Sequence, residues 1–95
     1  MILARVSGTL VATHRSDAVP AARYLMVIPT SQSGEDRGSA LVALDTVGAG
    51  RDEIVLVAQG SSARQTKLSD KKAIDAVIIG IVDEVEESGT VTYRK

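Results

Sequence analysis

Over the first thirteen residues apolar and polar side chains alternate: Ile2, Ala4, Val6, Leu10 and Ala12 fall on one side, Arg5, Ser7, Thr9 and Thr13 on the other. A period of two marks a β-strand with one buried face. Leu3 and Val11 break the alternation by standing on the polar side. Gly8 falls among the inward positions, where a missing side chain marks a bulge or a tight bend of the kind small barrels use at corners. A polar link from His14 to Ala22, containing Pro20, leads to a second strand at residues 24–28, which Pro29 ends because it has no N–H for the ladder. Residues 30–39 are polar, hold two glycines and read as an exposed, mobile hairpin loop. Apolar runs at residues 40–44 and 54–58 predict strands three and four, joined by a turn that Gly48-Ala49-Gly50 forces. Residues 59–72 exceed an ordinary hairpin connection and predict the one helix of the chain, short and capped by one of its serines. The longest apolar run, residues 74–85, predicts a fifth strand, and Ser88-Gly89 turns it into a sixth at residues 90–94.

Six short strands with little room for crossover helices point to a small OB-like antiparallel β-barrel rather than a βαβ sheet, despite the continuous apolar runs. The fold class is all-β with one short helix and a C-terminal β-hairpin, in a single domain over residues 1–95. That last hairpin follows an acidic cluster, Asp83, Glu84, Glu86 and Glu87, and is placed to lie apart from the barrel or to be exchanged between neighbours.

Composition narrows the function. The apolar residues are Val, Ala, Ile and Leu with two Tyr, two Met and no Phe or Trp, so the core is light and burial between copies of the chain is a natural supplement. Eleven basic against twelve acidic residues supply no positive field for a phosphate backbone, which weighs against nucleic acid as a partner. Without Cys, and with His14 alone, there is no thiolate nucleophile and no zinc cluster, so no metal or cofactor is expected. Arg5 and Ser7 interrupt the opening apolar stretch, and no run reaches the ~18 residues of a membrane helix, leaving a soluble cytoplasmic protein as the expectation.

Three segments invite chemical readings. Gly48-Ala49-Gly50 is followed by Arg51-Asp52-Glu53, which supplies neither the Gly-Lys-Ser/Thr of a P-loop nor the third Gly of a dinucleotide fingerprint, so a structural turn is expected. Gly60-Ser61-Ser62-Ala63-Arg64 looks like a nucleophile elbow, but Arg64 stands in place of the last Gly and His14 would be the only base for Ser62. A small hydrolase built on that pair is the remotest reading, and a serine capping its own helix is the structural one. The carboxylates Asp45, Glu53 and Asp83 sit near strand ends, where structural or interfacial pairing is expected, with Arg5 and Arg64 as available partners. An OB-like module for single-stranded nucleic acid would stack bases on aromatic platforms in a basic groove, and here only Tyr24 and Tyr93 are aromatic.

Four segments taken in order carry a resemblance: residues 1–13 (MILARVSGTLVAT), Asp45-Thr46-Val47-Gly48-Ala49-Gly50, Gly60-Ser61-Ser62-Ala63-Arg64-Gln65, and Ile79-Gly80-Ile81-Val82-Asp83. Together they resemble the bacterial microcompartment vertex proteins of the ethanolamine-utilisation and carboxysome (EutN/CcmL) family, over essentially the whole chain. The chain departs from that pattern at Asp52, where many relatives have Gly, and at Ala73-Ile74, where Pro-Val is common. The resemblance implies a five-stranded OB-like barrel that forms a homopentamer and closes the vertices of a polyhedral protein shell in the bacterial cytoplasm. Its implied partners are hexameric and pseudohexameric shell subunits, and it implies no catalytic residue. It also implies that Gly60, Ser61, Ser62 and Arg64 lie towards the pentamer axis and the intersubunit contacts. Asp45, Gly48, Gly50 and Glu53 would form a turn or contact loop. Were the helix to start at Ser61 or Ser62 beside the axis, five N-termini would converge there and favour an anion.

Overall fold

The alternating residues at the start of the chain form β1 (Ile2–Leu10) in a computed structural model that describes residues 1–70 and 74–95. On one side β1 pairs with β2 (Tyr24–Pro29) and on the other with β4 (Ile54–Gln59); β2 pairs with β3 (Leu41–Asp45) and β4 with β5 (Ala76–Ile81), all antiparallel. The sheet closes into a barrel in the order β1-β2-β3-β5-β4. Its closing seam, β3 to β5, is parallel and short, with Leu44 opposite Val77 and Asp45 opposite Ile78. The expected antiparallel barrel is thus found with one parallel contact. Five is an odd number of strands, and strict alternation of direction cannot close around an odd ring.

The apolar run at residues 74–85 is not one strand. It leaves the barrel after Ile81, as Val82 N–H donates to the Ile54 carbonyl, and resumes as β6 (Glu84–Glu87), which pairs only with β7 (Thr90–Arg94) in a separate two-stranded sheet. The hairpin therefore forms its own sheet as expected, and the described residues form seven strands where the hydropathy pattern predicts six. Gly8 marks a bulge, the β1–β2 register shifting between Val6 and Gly8. A second bulge at Ile79 sets Leu56 opposite Gly80 and Val57 opposite Ile78.

In place of the expected serine-capped helix there is a single turn of 3-10 helix, Gly60–Arg64, with Gln59 at its N-cap and no side-chain cap. Ser62 Oγ donates to the Gln59 carbonyl at 2.6 Å, so the hydroxyl holds the strand end and caps no amide. One turn accumulates little dipole, and the anion reading of this segment falls with the cap. Lys71 and Lys72, the end of the expected helical segment, and Ala73 lie outside the described residues.

Two apolar clusters share the barrel wall. Inside it are Ala4, Val6, Leu25, Val27, Ala43, Val55, Val57, Ala76 and Ile78, closed at one end by Ala49. Small residues between Leu, Ile and Val let a five-stranded ring fill its interior without aromatics. Outside the wall, Leu44 and Val77 are covered by Val19, Ala63 and Ile74. The adjoining parts of β3 and β5, Ala43–Asp45 and Ala76–Ile78, are thus buried on both faces, which explains continuous hydrophobicity there in a mostly antiparallel sheet.

Candidate functional site

The first predicted group is one hydrogen-bonded loop. Asp45 ends β3 with its side chain 2% exposed, and its Oδ1 accepts from the amides of Val47 and Gly48 (both 3.1 Å) and of Ala49 (3.3 Å). Its Oδ2 accepts from Arg23 Nη1 at 2.6 Å, and the same guanidinium donates to the Ala49 carbonyl at 3.0 Å. Gly48, at φ +73°, lets the chain curl so that three successive amides face one carboxylate. Thr46 Oγ1 donates to the Ile78 carbonyl at 2.6 Å, tying the loop's root to β5. A concave array of amides of this kind would bind a phosphate, but here the chain's own carboxylate fills it. The turn is thus held by its own carboxylate and by Arg23.

Glu53 closes the far end of the loop. Its carboxylate accepts from the Gly50 amide and pairs with Lys95 Nζ at 2.5 Å. The Lys95 ammonium first, and the Gly50 N–H second, hold the Glu53 carboxyl below its ordinary range, and the carboxylate raises the lysine in return. Lys95 N–H also donates to the Asp83 carbonyl, so one residue links the barrel loop to the root of the hairpin. Asp52, where the family pattern has Gly, sits at φ +68°, in the left-handed region that Asp tolerates better than most residues; its amide donates to Val6 and its carboxylate meets Arg5.

The expected charge partners differ from those observed. Arg5 reaches Asp36 at 2.9 Å and Asp52 at 3.4 Å, while Asp45 takes Arg23 and Glu53 takes Lys95. Arg64 donates to the Ile74 carbonyl at 3.3 Å. Arg23 and Lys95 carried no local signal in the sequence, because barrel register brings Arg23 to Asp45 and the end of the separate hairpin, held at the Asp83 carbonyl, brings Lys95 to Glu53.

The second predicted group, Gly60, Ser61, Ser62 and Arg64, leaves the end of β4. Gly60, at φ +63°, turns the chain, and its amide donates to the Asp75 carbonyl at 2.8 Å. Gly60, Ser61 and Ser62 are exposed, whereas Ala63 is driven into the outer cluster. The segment therefore presents a small polar edge anchored by one methyl group. Among the described residues no hydrogen bond or ion pair joins this edge to the Asp45 loop.

Neither remaining chemical reading finds its parts. The Ser62 hydroxyl is committed to Gln59, and His14 Nδ1 lies beside Thr13 in an exposed loop. The Tyr24 hydroxyl donates to Asp17 under the Arg15 guanidinium, and the Tyr93 ring packs against Gly34 and the loop at residues 30–39. Among the described residues no group of three or more His, Asp or Glu is placed to hold a metal, and no helix is long and apolar enough to cross a membrane.

Comparison with known proteins gives a consistent set. The family described as "Ethanolamine utilisation protein EutN/carboxysome" matches residues 1–83. The chain is 44% identical over 86 residues to the bacterial microcompartment shell vertex protein GrpN of Rhodospirillum rubrum, covering 90% of this chain and 97% of that protein. It is 42% identical to the shell vertex protein EutN of Escherichia coli over the whole of both chains. The structure of Gloeobacter violaceus CcmL superposes with a TM-score of 0.93 at 38% identity, covering 100% of this chain and 98% of that one. The GrpN structure, described as a pentameric microcompartment shell protein, does so with a TM-score of 0.81 at 42% identity, covering 92% of this chain and all of that one.

Proposed function

The chain belongs to the EutN/CcmL family, and from that premise we propose that it is a structural shell subunit, five copies of which form a ring that closes a vertex of a bacterial microcompartment. The observation that carries this reading is the likeness, along nearly the whole chain, to a pentameric shell protein. A ring is what a heterologous contact produces when its rotation closes, and a small barrel with a light core gains burial by forming one. The reading is non-enzymatic. It is supported by the commitment of Ser62 to a backbone carbonyl and of the Asp45 carboxylate to loop amides and Arg23. Both aromatic rings are engaged within the chain, which weighs against an OB-type nucleic-acid module.

Within this reading Gly60, Ser61, Ser62 and Arg64 form the edge directed to the ring axis and its intersubunit contacts. The Asp45–Glu53 loop, stiffened by its internal carboxylates, is a contact loop. The faces of the shell, in the bacterial cytoplasm, are tiled by hexameric and pseudohexameric subunits that this ring meets through shape.

Native mass spectrometry over a range of concentration and salt tests the ring, with a dominant five-chain species expected. Co-expression with hexameric shell subunits tests the capping role. Closed polyhedra are expected with the chain and open or elongated shells without it. A persistent monomer, or shells that close equally well in its absence, would refute the proposal.

A further inference from the structure

The connection from β1 to β2, residues 11–23, is far longer than the roughly 2–5 residues that join a hairpin, and it is sharply bent. Ala18 and Ala21 stand at φ +61° and +52°, in the left-handed region that residues other than glycine rarely adopt, while Val19 between them is anchored in the outer cluster. With the link bent in this way the Arg15 guanidinium lies over the Tyr24 ring, 5.8 Å from its centre. Beside it, where the pairing of β1 with β2 ends at Leu10 and Tyr24, is a pocket of about 420 Å³. That volume is ordinary for a small-molecule site. The shell role gives the pocket nothing to do.

Its lining carries charge of one sign. Among the described residues the charged ones that line it are Arg15 and Arg23, and Leu10, Ala12 and Ala22 supply an apolar wall. Each arginine has a carboxylate partner, yet neither carboxylate lines the pocket. Asp45, its side chain 2% exposed, is taken up by the loop amides, and Asp17, 14% exposed, accepts from the Tyr24 hydroxyl and the Val19 amide. Arg23 meets Asp45 and the Ala49 carbonyl through Nη1 alone. Arg15 reaches Asp17 and the Val19 carbonyl only at 3.4 Å, at the edge of hydrogen-bonding range. Nε and Nη2 of Arg23 and Nε of Arg15 thus have no protein acceptor among the described residues. A guanidinium fixed by a buried carboxylate, with donors still unused, suits the paired oxygens of a carboxylate or phosphate group.

We propose that this pocket binds a small organic oxyanion, a carboxylate or phosphate carried on a short apolar body. Its oxygens are held by Arg15 and Arg23, and its body rests against Leu10, Ala12 and Ala22. The site is a property of the single chain and does not depend on the ring reading above.

Calorimetric titration of the full chain with butyrate and with propyl phosphate, at constant ionic strength made up with chloride, tests it. Saturable binding is expected at one site per chain, with a Kd of about 1 mM or tighter. Whichever of the two binds more tightly names the anionic group. Acetate and inorganic phosphate lack the apolar body and should bind severalfold more weakly. Arg15→Gln is expected to weaken binding about tenfold or more, and Arg15→Lys to restore only part of it, because an ammonium offers no planar fork. Val11→Asp is a second variant. Val11 is 87% exposed at the same pocket, so a carboxylate there leaves the fold intact, as circular dichroism would show, and should repel the anion severalfold. Heats that match chloride dilution, or folded variants that bind as tightly as wild type, overturn the site.

Discussion

Asp45→Ala probes the loop most directly. The carboxylate is nearly inaccessible, accepts from three successive amides and meets Arg23 at 2.6 Å. The contributions are unequal. Val47 and Gly48 are exposed, so water replaces the carboxylate at their amides at a cost of about 0.5 kcal/mol each. Arg23 is half exposed and regains hydration, so its pair is worth at most about 1 kcal/mol. Ala49 is fully buried, and its amide, left without an acceptor, costs about 1–3 kcal/mol. The sum is about 2–5 kcal/mol, which for a domain of this size lowers the thermal midpoint by at least about 8 °C. Asp45→Asn retains a neutral acceptor for the amides but turns a donor towards Arg23, and should lose about half as much. The assay is thermal unfolding at one fixed protein concentration, since an oligomer's midpoint depends on concentration. Faster hydrogen exchange at Ala49 should accompany the loss. An Asp45→Ala protein within about 0.5 kcal/mol of wild type would refute the argument that this carboxylate holds the loop.

Two further outcomes follow from backbone and charge. Gly60→Ala places a Cβ in open space at φ +63°, so its cost is purely conformational, about 1 kcal/mol, and a raised thermal midpoint would contradict it. Stability should fall at both ends of the pH scale. Lys95 and the Gly50 amide depress Glu53, and Arg5 depresses Asp36, so their contribution is present above the ordinary carboxylate pKa of about 4 and is lost as pH falls through the depressed values. Tyr24 is pushed up to about 12, by burial first and then by its hydrogen bond to Asp17. Its contribution is therefore complete below about pH 10 and lost as pH rises towards 12. Tyr24→Phe should flatten the alkaline limb of a midpoint-against-pH curve and also weaken the acid limb slightly, because the Tyr24 hydroxyl is the main group holding the Asp17 carboxyl below its ordinary range; an unaltered alkaline limb would refute the assignment.

Period-two alternation identified β1, and turn residues marked the Gly48 turn and the terminal hairpin, because those are local properties of the chain. What was illegible depends on the closed barrel. Arg5 finds Asp36 because β1 pairs with β2, whose following loop folds back beside it. Arg23 and Asp45 meet across 22 residues because β2 and β3 are neighbours. The break between β5 and β6 is hidden in hydropathy, since Ile81, Val82 and Val85 are all apolar, and only the acidic residues around them hint that the chain is leaving a core. The expected serine cap is not found, because a Gly-Ser-Ser stretch offers an N-cap only where a longer helix follows, and in a single 3-10 turn the Ser62 hydroxyl donates to the Gln59 carbonyl.

The parallel seam ties these observations together. With only two residue pairs, β3–β5 is the shortest contact of the barrel and gains least from its ladder. It is reinforced from outside the ladder by both segments that the sequence singled out. The Asp45 loop leaves β3 at the seam, seats Ala49 in the barrel end and bonds through Thr46 to the Ile78 carbonyl. The Gly60–Arg64 turn precedes β5 and presses Ala63 into the cluster that covers Leu44 and Val77. Each segment thus has one side packed at the seam and one side exposed. The sequence motif alone merges the two sides, and burial separates them: Ala49 and Ala63 belong to the seam, and Gly48, Ser61 and Ser62 to the surface. Under the function proposed above, in which these segments meet neighbouring copies, forming the ring would strengthen the weakest seam, coupling closure of each barrel to closure of the ring.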